Sequence, residues 1–203
     1  PGKAGADIGA VAAWDISTGS RAKVLAVVDT GIDYQHSDLA ANVWSAPSQF
    51  TVNIGGRLIT CPAGSHGFNA IANSCDPKDD NNHGSHVSGT IGASGNNATG
   101  VVGVNWTASI MGAKFLDRNG SGTTANAINA IEFTVQAKAA FGGAGGGADV
   151  RVLSNSWGGG GFSQALLDQI NRANASDMLF VAAAGNSSSN NDAYGHDVPR
   201  GRQ

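Results

Sequence analysis

Two histidines stand in a run of small polar residues, Asp79-Asp80-Asn81-Asn82-His83-Gly84-Ser85-His86-Val87-Ser88-Gly89-Thr90. Far upstream, Asp29 closes an apolar run, Val24 to Val28. A buried histidine beside a strand-end carboxylate is the orienting pair of nucleophilic catalysis. The carboxylate accepts from one ring nitrogen and fixes the tautomer, and the other nitrogen takes a proton from a nucleophile. On spacing alone the signal is weak: a lone Asp and a lone His are structural more often than not. His83 and His86 also stand one helical turn apart, as zinc ligands do, but the sequence places no third or fourth ligand. An EF-hand is excluded: the twelfth position counted from Asp79 is Thr90, where a bidentate Glu is needed.

The elements that must position these groups are legible as short apolar runs. Lys23–Val28, Ser109–Phe115, Val150–Asn155 and Met178–Ala184 are continuously apolar rather than alternating, as strands covered on both faces are. After Gly122, the residues Ile128, Ile131, Val135 and Ala139 recur at helical spacing. After Ser163, Leu166, Leu167, Ile170 and Ala173 do the same. Strand and helix alternate, so the expected class is α/β with a parallel sheet. Gly142–Gly147 reads as a flexible connection. Such sheets carry their sites at the carboxyl ends of the strands. There the sequence offers Asp29-Thr30-Gly31, Ser154-Asn155-Ser156-Trp157-Gly158 and Gly185-Asn186-Ser187.

Composition bounds the function. With 203 residues the chain fits one domain. Its 41% hydrophobic content is that of a folded chain rather than a disordered one. The net charge of −3 and the lack of a basic face argue against nucleic acid and anionic membrane as partners. The longest apolar run, Met178 to Ala184, is too short to cross a bilayer. Glu132 is the only Glu, while Asn, Ser, Thr and Gly are plentiful, a surface that correlates with secretion. In a secreted chain Cys61 and Cys75 suggest a disulfide; in a cytosolic one they are two free thiols. The first residue is Pro1 rather than Met, so an upstream segment was removed or the chain is a fragment.

Four motifs in order resemble the subtilisin-like serine proteases (subtilases, peptidase family S8) from about Ile8 to about Asn191. Val27-Val28-Asp29-Thr30-Gly31-Ile32, with His36 and Asp38-Leu39, resembles the family's aspartate motif. His83-Gly84-Ser85-His86-Val87-Ser88-Gly89-Thr90 resembles its histidine motif. Ser154-Asn155-Ser156-Trp157-Gly158 is similar to its substrate-binding strand, and Ala183-Ala184-Gly185-Asn186 to its oxyanion motif. The fold implied is α/β with three layers and a mainly parallel sheet of the subtilisin type, incomplete at the C-terminus. Residues 1–203 then form the N-terminal portion of a catalytic domain.

The resemblance implies catalytic roles for Asp29 as orienting carboxylate, His83 as general base and Asn186 as oxyanion donor, with His86 structural, packing in the helix that follows. It implies that Ser156, Trp157 and Gly158 pair with an extended peptide, and that Gly120, Ser121 and Gly122 line the other side of the groove. Gly95-Asn96-Asn97-Ala98-Thr99-Gly100-Val101 resembles the family's calcium loop. Asp38 and the Asn97 side chain, with the carbonyls of Gly95, Thr99 and Val101, are the implied ligands of a structural calcium. The implied partner is an extended peptide or protein substrate, and the implied protein a secreted monomer. No Gly-Thr-Ser-Met-Ala segment, the family's nucleophile motif, occurs in the sequence, and Tyr194 to Gln203 do not continue the family pattern in an obvious way. The chain is therefore expected to be truncated before its nucleophile and inactive alone. The alternative is a non-catalytic remnant that keeps a peptide-binding groove. An aspartic protease, whose signature Asp29-Thr30-Gly31 also fits, needs a second carboxylate motif and an all-β fold.

Overall fold

The computed structural model describes residues 5–142 and 147–188. In chain order the elements are α1 (Ala10–Trp14), β1 (Val24–Asp29), β2 (Phe50–Ile54), β3 (Arg57–Cys61), β4 (Gly67–Asn69), α2 (His83–Gly92), β5 (Ile110–Lys114), α3 (Thr124–Phe141), β6 (Val150–Asn155), α4 (Gln164–Ala175) and β7 (Leu179–Ala182). The centre of the expected Gly-rich connection, 143–146, and the segment 194–203 lie outside the described residues.

Five strands form one sheet in the order β4-β5-β1-β6-β7, and every pair is parallel. β1 is central, and its alternate side chains feed two separate cores. Val24, Ala26 and Val28 join Met111, Ala113, Ile131 and Phe133 on one face. Val27 joins Ile32, Leu39, Ala108 and Ile110 on the other, where Val87 and Ile91 of α2 pack. Helices α3 and α4 therefore cover one face and α2 the other, which is the three-layer α/β arrangement. Burying each Val or Ile of β1 and β5 contributes about 1.5–3 kcal/mol.

All four expected strands form. The helix after Gly122 also forms, starting behind Thr123, whose hydroxyl accepts from Asn126 N at 3.1 Å. Its buried face is wider than the expected stripe. Ala127, Ala130, Phe133, Thr134 and Ala137 are buried, Ile128 is half-buried and Ala139 is exposed. The alanines let the helix lie close against the sheet, so small residues face inward where larger ones had drawn attention. β7 also departs from expectation. It lies at the sheet edge, with Leu179 and Val181 63% and 45% exposed on one face, so its continuous apolar run does not mean burial on both sides.

The structure adds an antiparallel hairpin, β2–β3, outside the main sheet. Gly55 and Gly56 turn it with φ of 59° and 82°, the left-handed pair that a two-residue hairpin turn needs. Phe50, Val52 and Ile54 point into the α3 side of the core; Phe50 lies 4.9 Å from Phe141 and 5.9 Å from Phe133, centroid to centroid. Cys61 and Cys75 form a disulfide with a Cα–Cα distance of 5.4 Å, and the free-thiol alternative falls. The bridge ties the end of β3 to the segment after β4. Among the described residues no helix is long and apolar enough to cross a membrane.

Candidate active site

Asp29 is the last residue of the central strand and is completely buried. Its carbonyl oxygen accepts from Phe115 N at 3.0 Å, which binds the ends of β1 and β5 together. Its Oδ1 accepts from Thr30 N at 2.7 Å and lies 2.8 Å from His83 Nδ1. Among the described residues the buried Oδ2 has no partner. His83 is the first residue of α2, and its side chain is half exposed rather than buried. The helix can start here because residue 84 is glycine. A Cβ on Gly84 would come within 2.2 Å of Gly31 O, so a side chain would push α2 off the strand end.

The inward face of α2 is Gly84, Ser88 and Gly92, spaced one turn apart. His86, expected to be structural and packed, falls on another face and is exposed. It lines a pocket of about 660 Å³ with Trp14, Asp33 and His36. Among the described residues no group of three His, Cys, Asp or Glu is placed to hold a metal, so the zinc alternative lacks its further ligands.

Because all five strands of the main sheet are parallel, their carboxyl ends share one rim. Ser156, Trp157 and Gly158 leave β6, the neighbour of β1, and are half-buried. The Trp157 ring reaches over the end of β1 to Phe115, edge to face at 4.8 Å, and its buried Nε1 has no partner among the described residues. Ala183 N donates to Asn155 O at 3.0 Å and extends the β6–β7 ladder by one residue. Asn186 follows β7 in the chain and is exposed. Two strand spacings, about 10 Å, separate β1 from β7.

Gly120 and Ser121 sit in a tight turn after β5. Asp117 Oδ1 accepts from Asn119 N at 2.8 Å and Ser121 N at 3.0 Å, and its carbonyl accepts from Gly120 N at 2.9 Å. Asn81 Nδ2 donates to Arg118 O at 2.8 Å, so this turn is fastened to the segment that leads into His83.

Sequence reasoning gave no role to Lys114. It is 3% exposed at the end of β5, opposite Asp29 in the register. Its Nζ donates to Thr30 O at 2.5 Å, Leu116 O at 2.9 Å and Asp80 Oδ1 at 2.6 Å. A lysine closing a continuously apolar strand was the available signal.

Asp38 is 3% exposed. Its Oδ1 accepts from Asn97 Nδ2 at 2.7 Å and its Oδ2 from Val101 N at 2.9 Å, so the loop 95–101 wraps around it. Asn97 Oδ1 is turned the other way, accepting from Thr99 N at 3.1 Å. None of the ion pairs among the described residues involves Asp38. A buried carboxylate balanced only by neutral donors is one hard oxygen of the kind calcium takes, while Asn97 and Val101 present N–H groups to it rather than oxygens.

The sequence model of the subtilase family (Peptidase S8) matches residues 20–201. The thermophilic serine proteinase of Bacillus sp. (strain AK1) is 35% identical over 177 residues, covering 87% of this chain and 36% of that protein. Thermitase of Thermoactinomyces vulgaris is 35% identical over 174 residues, covering 86% of this chain and 50% of that protein. Among solved structures, a cold adapted subtilisin-like serine proteinase superposes with a TM-score of 0.58 at 29% identity, over 81% of this chain and 47% of the other. Sphericase superposes with a TM-score of 0.62 at 30% identity, over 86% and 49%. The chain thus spans half or less of the length of these relatives. With the motifs in order and the parallel sheet beneath them, the chain belongs to the subtilase family.

Proposed function

We propose that the protein carrying these residues is a secreted, monomeric serine endopeptidase, and that this chain holds its acid–base and oxyanion groups. The observation that carries the reading is the 2.8 Å contact between His83 Nδ1 and Asp29 Oδ1 at the carboxyl end of the central strand. The carboxylate keeps the proton on Nδ1, which leaves Nε2 with a lone pair. Nε2 takes the proton of the attacking serine and later returns it to the leaving amine, while Asp29 supports the transient imidazolium. The side-chain amide of Asn186 donates to the oxyanion of the tetrahedral intermediate. Ser156, Trp157 and Gly158 hold an extended peptide backbone by strand addition, with Gly120 and Ser121 opposite. None of the serines in these 203 residues is assigned as nucleophile.

Asp38, Asn97 and the carbonyls of Gly95, Thr99 and Val101 are the residues that would hold a structural calcium. The ion supplies charge balance to the buried Asp38 and no chemistry to the reaction. A rise in the midpoint of thermal unfolding on adding calcium, absent in Asn97→Ala, is the expected sign.

The test is hydrolysis of a chromogenic peptide. The full-length gene product is expected to cleave it, to be blocked by a serine-directed reagent, and to lose about 10⁴-fold or more in kcat in His83→Ala. The 203-residue chain alone is expected to give no turnover. Unimpaired cleavage by the full-length His83→Ala variant overturns the reading. A full-length protein that binds peptides but cleaves none establishes the non-catalytic remnant instead.

A further inference from the structure

Asp79 gathers five hydrogen bonds on one carboxylate. Its Oδ1 accepts from Thr30 Oγ1 at 2.9 Å, Asn81 N at 2.9 Å and Asn82 N at 3.1 Å. Its Oδ2 accepts from Ser85 Oγ at 2.6 Å and Ser85 N at 2.9 Å. Burial of this group works to raise its pKa, but the Ser85 hydroxyl, the Asn81 and Ser85 amides and the Thr30 hydroxyl outweigh it and hold the carboxyl at about 2. It is an ionised acceptor at any working pH.

These donors come from both sides of the Asp29–His83 pair. Thr30 directly follows Asp29, and Asn82 and Ser85 bracket His83-Gly84. Thr30 Oγ1, which donates to Asp79, also accepts from Gly84 N at 2.9 Å. Ser85 Oγ, which donates to Asp79, also accepts from Asp33 N at 2.9 Å. One carboxylate therefore orients the two hydroxyls that fasten the end of β1 to the first turn of α2. The helix needs this, because its N-cap residue, Asn82, has a left-handed φ of 89° and makes no side-chain cap bond. Asp79 takes over that work from outside the helix, and its negative charge suits the N-terminal dipole.

We propose that Asp79 is a positioning residue of the acid–base pair: it touches no substrate and sets the distance and angle at which His83 Nδ1 meets Asp29 Oδ1. The inference rests on the peptidase reading only in taking that pair as catalytic. Losing Asp79 frees the first turn of α2 from Thr30, and a displacement of about 1 Å at the base is enough to cost roughly 10²-fold in rate.

The experiment reads the ¹⁵N shifts of the His83 ring in the full-length protein, at a pH where the ring is neutral. These report which nitrogen carries the proton. The wild type is expected to hold the proton on Nδ1, and Asp29→Asn to lose that preference. Asp79→Asn, with an amide nitrogen facing its donors, and Asp79→Ser, with a shorter acceptor, are expected to keep the α2 backbone signals yet mix the two tautomers. In the full-length enzyme the same two variants are expected to lower kcat about tenfold or more with KM within about twofold. If Asp29→Asn leaves the tautomer unchanged, the pair itself is not formed, and the peptidase reading falls together with the inference. If Asp29→Asn releases the tautomer but both Asp79 variants keep it, the inference alone is overturned. If both Asp79 variants unfold the chain, Asp79 is a stability residue and the inference is overturned as well.

Discussion

His83 Nδ1 and Asp29 Oδ1 lie 2.8 Å apart, with the carboxylate fully buried and the imidazole half open to solvent. The asymmetry suits a base that must meet a reactant on one side and a fixed charge on the other. Close backbone approach of α2 to the end of β1 also constrains that distance, alongside the Asp79 anchors. Gly84→Ala inserts a methyl 2.2 Å from Gly31 O, and backbone cannot step aside as a flexible side chain could. The helix start must move instead. The expected cost is about 1–3 kcal/mol in urea unfolding, with loss of the Nδ1–H preference of His83. An unchanged stability and an unchanged ring tautomer would show that the close approach constrains nothing.

Asp79 gives the fold a pH dependence with a defined sign. Its carboxyl sits at about 2, below the ordinary 3.8. A depressed folded-state pKa stabilises fully above the unfolded value, near pH 4, and that contribution fades as pH falls through about 2. After discounting for partial exposure it amounts to about 1–2 kcal/mol. The stability gap between wild type and Asp79→Asn is expected to be largest above pH 4 and to narrow steadily toward pH 2. A gap that stays constant over this range would assign the loss to packing rather than to charge.

The four strands with long apolar runs were legible from those runs, although in β7 the run goes with one exposed face rather than burial on both. β4 was not, since three residues, Gly67-Phe68-Asn69, carry no periodicity at all. The β2–β3 hairpin did carry one, with Phe50, Val52 and Ile54 alternating before Gly55-Gly56, the same signal that local turn chemistry predicts. Asp29, His83 and Asn186 stood out through motif order, and the structure brings Asp29 and His83 into contact. Lys114 and Asp79 stayed silent because their meaning lies in partners distant in sequence, Thr30 above all. His86 was misjudged because a histidine on a helix says nothing of its face until the small residues Gly84, Ser88 and Gly92 are seen to mark the inner one.

The Cys61–Cys75 bridge closes a loop that contains β4, an edge strand of the sheet. Constraining a loop of about 15 residues in the unfolded chain is worth about 3 kcal/mol. Oxidised and reduced protein compared by urea unfolding are expected to differ by about that amount, with a midpoint shift at similar slope. A difference below about 1 kcal/mol would mean that the unfolded chain keeps this loop compact without the bond.

Lys114 is the other fastening of the site. Its buried ammonium satisfies Thr30 O and Leu116 O and reaches out to Asp80, whose side chain is 55% exposed. The two carbonyls, rather than the ion pair, carry most of its worth. Asp80 can rehydrate when its partner is lost, and a pair with one exposed member couples weakly. The buried carbonyls cannot rehydrate, and each left without a donor costs about 1–3 kcal/mol. Lys114→Met is therefore expected to destabilise by about 2–4 kcal/mol, and Asp80→Ala by less than about 1 kcal/mol. A double-mutant cycle between them is expected to return a coupling under about 1 kcal/mol. A coupling as large as the whole Lys114→Met effect would move the stabilisation to the ion pair and refute the carbonyl account.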